Sequence, residues 1–239
     1  MEQVIIGQTT IDIVRKNIKN IHLAVYPPHG RVRLAAPLSV NDETIRLFVV
    51  AKLGWIHRQQ RNFERQERIS EREYSYRESH YFQGRRYLLN IVERNAPPQV
   101  LIRNARTIDL YIRPGASTSK RQEIMNSWYR EQLQQQIPEI IAKWEGLMGV
   151  KVHEWQIKQM KTKWGACTIE KKRLWLNLEL AKKPIHCLEY VIVHEMVHLL
   201  ERHHNERFFQ YMTTFLPHWQ QIRAELNNLP LGHADWNAE

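Results

Sequence analysis

The chain has 239 residues, with 35 Lys plus Arg against 25 Asp plus Glu and a formal net charge of +10. No run of about 18 apolar residues is present, so no membrane-spanning helix is expected. The two cysteines, Cys167 and Cys187, form no CxxC pair, so no disulfide framework is expected and a reducing, cytoplasmic setting is.

The opening, MEQVIIGQTTIDIV, has no basic region leading into an apolar stretch, and no secretory leader is expected from it. The first 40 residues read as strands. IHLAVY (21–26) and RVRLAA (31–36) flank Pro27-Pro28-His29-Gly30, which predicts a hairpin. Ser39 or Asn41 can cap a helix that places Ile45, Phe48, Val49, Leu53 and Ile56 on one face. From His57 to Arg77 the mixture of arginine, glutamine and glutamate reads as a solvated helix extension or linker.

A second β-rich stretch follows. RRYLLNIVER (85–94), QVLIRNA and TIDLYIR alternate apolar and polar residues. Ser117 or Ser119 then opens a long helix to about Met148, which Pro138 should kink or split. HEWQIKQM and RLWLNLEL read as strands on either side of the Lys161–Cys167 segment. A helix from Ile185 to about Glu201 comes next, and then one from about Asn205 to Leu226 that Pro217 interrupts or bends. No internal repeat is visible.

The helix from Ile185 contains His194-Glu195-Met196-Val197-His198. Positions i and i+4 share a helix face, so both imidazoles can reach one ion. Zinc accepts such nitrogen ligands and keeps a position open for water. Glu195 can take that water's proton. A catalytic site needs a third ligand. Spacing favours His204 over His203, with Glu201 and Glu206 as fallbacks.

These residues carry a resemblance. KWGAC (163–167), LWLNLEL, Pro184, LEYVIVHEMVHL, HHNERFF and LPHW together resemble the YgjP-like, SprT-related metallopeptidase family. The family typically reads RWGSC, a strand with N-x-x-L, YVxxHELxHL, NHSxxFW and PxW. Lys163, Ala166, His203, Asn205 and Phe209 depart from that pattern, and none of these changes removes a ligand or the base.

The resemblance implies an α+β fold. A β-rich N-terminal region (1–115, with one long helix) would precede a minimal gluzincin-like zinc unit (116–239) with a short sheet packed on the HExxH helix. It further implies His204 as third zinc ligand, and RLWLNLEL as the strand that offers its edge to substrate. Lys163, Trp164 and Asn177 are the residues offered to substrate. The expected activity is zinc-dependent peptide hydrolysis.

Two alternatives stay open. Some relatives are assigned UTP pyrophosphatase activity, and Lys151, Lys158, Lys161, Lys163, Lys171, Lys172 and Arg173 could hold a triphosphate. A +10 chain could also act on DNA-associated protein or bind nucleic acid through its basic surface.

Overall fold

The computed structural model describes residues 2–26, 30–65, 73–160 and 163–228. The described residues form two compact units, one made from 2–65 and the other from 73–228. The first begins with β1 (Glu2–Ile6), β2 (Thr9–Lys16), β3 (His22–Tyr26) and β4 (Arg31–Pro37) in the order β1-β2-β4-β3. β2 and β4 run parallel, and the two outer pairings are antiparallel. The β3–β4 pair is the expected hairpin; its turn residues 27–29 lie outside the described residues.

α1 (Asp42–Arg65) follows, with the Asn41 side chain accepting from the Thr44 amide at 2.8 Å. Ile45, Val49 and Ile56 close the core over Ile11, Val32 and Leu34. Within that sheet Asp12 is buried. Burial alone would raise its pKa, but hydrogen bonds donated by Arg31 and Gln3 outweigh that and hold the carboxyl low. The solvated extension read from His57 onward is helical to Arg65, and 66–72 lie outside the described residues.

The second unit starts with β5 (Ser79–Phe82), β6 (Arg85–Glu93), β7 (Gln99–Asn104) and β8 (Thr107–Ile112), in the order β5-β6-β8-β7. α2 (Thr118–Met148) follows, capped by Ser117 and stopped by Gly149 in the left-handed conformation. Pro138 does not split it. The residue is exposed, so the carbonyl that loses its partner faces water. The boundary expected at 115/116 falls inside this unit, between β8 and α2. One apolar core runs from Leu89 and Ile108 through Leu133 and Ile141 to Val193.

The remaining elements are β9 (Glu154–Lys158), β10 (Gly165–Thr168), β11 (Arg173–Asn177), α3 (Ile185–Val197), α4 (Glu206–Phe215) and α5 (Trp219–Asn228). The helix expected from Asn205 to Leu226 is therefore two helices, parted at Pro217. β11 is the central strand of a three-stranded sheet, parallel to β9 and antiparallel to β10. This corrects the expectation that RLWLNLEL offers a free edge. Both sides of β11 are paired, and the edges belong to β10 and β9. The strand also stops at Asn177, because its side chain accepts from the Glu179 amide and turns the chain into a 3₁₀ segment over Leu178–Lys182.

These strands, with the five helices, make the described residues α+β. No described helix is long and apolar enough to cross a membrane.

Candidate metal centre

α3 is buried on nearly every side, from Cys187 to Val197, which is unusual for a helix unless it runs through a core. Its start is pinned by the β5–β6 turn. Gln83 and Gly84 donate to the carbonyls of Ala181 and Lys182 at 3.0 and 3.1 Å. Gly84, at φ 76°, lies so close to Pro184 that a Cβ would come within 2.6 Å of its Cγ. Lys143 and Trp144 of α2 both donate to Glu189, at 2.7 and 2.9 Å. α3 is thus held at its first turn and along its flank before it reaches the site.

The regular helix ends at Val197, four residues earlier than expected. Leu199 and Leu200 bond three residues back, to Met196 and Val197, so the chain tightens and turns. That turn returns His204 to His194. Their Nε2 atoms are 3.1 Å apart. His194, His198 and His204 each offer a nitrogen, and these atoms all lie within 4.8 Å of one another. Phe208, fully buried, packs against all three rings at 4.6 to 5.0 Å between centroids.

The donor set fits a divalent metal. Two imidazoles on one tetrahedral zinc, each at about 2.0–2.1 Å, place their nitrogens about 3.4 Å apart. The rings are also held neutral. Burial, then the His198 and His204 rings, drive the pKa of His194 down to about 3. His198 and His204 are lowered too, first by burial. His198 Nδ1 lies 3.2 Å from the Glu201 carbonyl oxygen; donating its proton there, the ring leaves Nε2 free for an ion.

His203 is not in the cluster; its amide donates to Glu201 Oε1 at 3.2 Å. A second group, His186, Cys187 and Glu225, also converges. There His186 and Glu225 pair at 2.8 Å, and burial pushes the Cys187 thiol up to about 12, so it stays protonated and a poor ligand.

Glu195 is 6 % exposed. Burial pushes its pKa up to about 8, with the Lys163 ammonium pulling the other way. Beneath β10 there is no room for anything larger than glycine at 165. A Cβ there would sit 2.7 Å from Glu195 Oε1 and 2.9 Å from Val191 Cγ1. The sequence displays Gly165 inside KWGAC but not what it makes room for.

A sequence model of the YgjP-like metallopeptidase domain matches residues 19–229. The chain belongs to the YgjP-like metallopeptidase-domain family, and so to a class of metal-dependent hydrolases. No curated protein matches it. Among solved structures, a similar chain is the metallopeptidase zymogen of Pyrococcus abyssi abylysin. The two are 13 % identical with a TM-score of 0.36, over 40 % of this chain and 99 % of that one.

The three residues offered to substrate are placed differently. Lys163 is exposed and its charge reaches Glu195. Trp164 is half-buried, with the Lys183 ammonium 5.4 Å from its ring. Asn177 is buried, and its carboxamide engages the Met160 and Lys163 carbonyls and the Glu179 amide, at 2.8, 2.8 and 3.2 Å. The lysines upstream are dispersed. Lys151 pairs with Glu145, Arg173 with Glu154, and Lys158 lies 3.5 Å above the Trp175 ring. Lys161 lies outside the described residues.

Proposed function

We propose that this YgjP-like chain is a zinc-dependent peptide hydrolase, with His194, His198 and His204 as the zinc ligands and Glu195 as general base. One observation carries the reading: three neutral imidazoles converge beside a buried carboxylate. Zinc, when bound, supplies a Lewis acid that polarises a carbonyl and acidifies a water. Glu195 takes the proton of that water on its carboxylate and passes it to the leaving amine. Its burial favours holding the proton, and the Lys163 charge favours the ionised form that starts the reaction.

The outer side of β10 has no strand partner among the described residues, so an extended peptide can add there by backbone hydrogen bonds. Trp164 and Lys163 border that strand. Asn177 contributes by holding the Met160 and Lys163 carbonyls ahead of it. A second reading, hydrolysis of UTP, rests on Lys163, the one upstream lysine among the described residues whose charge is tied to Glu195.

The test uses the full chain loaded with zinc, given unfolded casein or UTP, with and without chelator. Casein cleavage that the chelator stops is expected, and Glu195→Gln should lower it about 10²–10⁴-fold while zinc content stays unchanged. His204→Ala should release zinc; a full complement in that variant removes His204 from the ligand set. If UTP alone is consumed, the second reading replaces the first. If neither is consumed, the hydrolase reading fails.

A further inference from the structure

The sheet β5–β8 has two unlike faces. Ile108, Leu110 and Ile112 enter the core with Met125 and Leu133 of α2, so by alternation Thr107, Asp109 and Tyr111 belong to the other face. Asn90 of β6 joins them, because it donates to Asp109 at 2.8 Å, and Arg86 stands four residues earlier in the same row. From the edge strand β7, Leu101 lies opposite Asp109, and Arg103 donates to that carboxylate at 2.7 Å. Tyr81 of β5 is the cross-strand neighbour of Arg86. Asp109 is the one carboxylate on this face among the described residues.

Two features set the face apart from an ordinary solvated surface. The first is its charge. Asp109 is buried and already occupied, accepting from Arg103, Asn90 and the Tyr111 hydroxyl. It leaves the exposed Arg86 unmatched among the described residues. The second is a fixed plane. Arg94, just past β6, sets its guanidinium carbon 4.1 Å from the centroid of the Tyr111 ring and donates to Gln99 at 2.9 Å. A base can stack on a guanidinium held in this way, and lysine offers no such plane. Leu101, on the same side of β7 as Gln99, is 43 % exposed and adds an apolar contact. Arg86 and Arg94 are eight residues apart, roughly 26 Å along an extended strand, which spans several nucleotides of a single strand.

We infer that this outer face of β5–β8 docks single-stranded RNA, with Arg86 on a phosphate and a base on the Arg94–Tyr111 stack. The charge calls for a polyanion, and the stacked plane with an apolar neighbour calls for one that carries flat rings. A broad sheet face fits neither groove of a duplex, which admits a helix or a two-stranded ribbon. Unpaired bases that can be splayed onto such a face are those of RNA loops and single strands. The inference does not depend on the hydrolase reading.

The test follows a fluorescent oligouridylate of about 12 nucleotides on the full chain by fluorescence anisotropy. Arg94→Gln should weaken binding about tenfold. Arg94→Lys keeps the charge but loses the plane, and should weaken binding nearly as much with the salt dependence unchanged. Arg86→Gln should reduce the slope of log K against log salt by about 0.7, the share of one phosphate on a single strand. Lys171→Gln removes an equal charge from the turn between β10 and β11, and should leave both affinity and slope near those of wild type. Thermal midpoints of Arg86→Gln and Lys171→Gln should match wild type, since both side chains are exposed. A wild-type chain that does not bind oligouridylate overturns the inference. So does an unchanged slope in Arg86→Gln, or a loss in Lys171→Gln equal to that in Arg94→Gln. A duplex or an oligothymidylate of the same length that binds as tightly overturns the assignment to RNA. Displacement of the RNA by an equal charge of polyglutamate overturns it in favour of an acidic protein.

Discussion

The sheet β1–β4 and the sheet β5–β8 have the same strand order, the same pairing senses and a side-chain-capped helix after the fourth strand. Each buries an aspartate that accepts from an arginine Nε: Asp12 from Arg31 and Asp109 from Arg103. What surrounds the two differs. α1 buries Ile45, Val49 and Ile56 and leaves Leu47 and Val50 in solvent. α2 is longer and buries residues along its whole length: Met125, Trp128 and Leu133 in its first half, and Ile141, Trp144 and Met148 in its second. The turn between the first two strands tells the same story. Gly7 meets nothing within 4 Å, whereas Gly84 is pressed on Pro184. One copy of the topology closes a small core of its own, and the other is extended into a scaffold for the site.

Substitutions can break that contrast. Trp144→Ala removes a buried ring, its Glu189 hydrogen bond and its edge contact with Phe215, and should cost about 3–5 kcal/mol in denaturant unfolding. The next effect has no counterpart in the first sheet. Burial lowers the Lys183 pKa from 10.5 to about 8. Between those values the unfolded chain keeps a proton that the folded chain has lost, so stability rises with pH there. The gain is on the order of 3 kcal/mol, and Lys183→Met should abolish it in a pH series of melts.

Smaller is the difference between two glycine substitutions. Both Gly7→Ala and Gly84→Ala incur the left-handed backbone penalty, about 1–2 kcal/mol. Gly84→Ala should cost about 1–3 kcal/mol more from the clash with Pro184 and should also lower hydrolysis, because the start of α3 must move. Equal costs would mean that the turn does not brace α3. Smallest is Leu47→Ala, which at 65 % exposure should stay within about 0.5 kcal/mol.

The repeated topology was not visible in the sequence because the two copies share a pattern and not residues. Val32 and Leu34 occupy the places of Ile108 and Leu110, but Asp12 stands where the other sheet has Asn90. Local signals were readable: the two N-caps, the β3–β4 hairpin and the His194–His198 spacing are each set by neighbours in the chain. β5, at four residues, was too short for its alternation to register. The free edge of β10 and the approach of Gly165 to Glu195 both depend on partners distant in sequence. No periodicity encodes them. Asn177 matched a motif, yet its carboxamide faces backbone and not the site.

Gly165 matters for a carbon atom it lacks. On the function proposed above, a chain could keep all three histidines and the glutamate, bind its ion and fold, and still be silenced by one methyl group there, which would push the carboxylate out of line. Inspection of the HExxH string would score such a protein as active. For relatives of this chain, the residue opposite the glutamate is therefore the one to examine first when an inactive member is suspected.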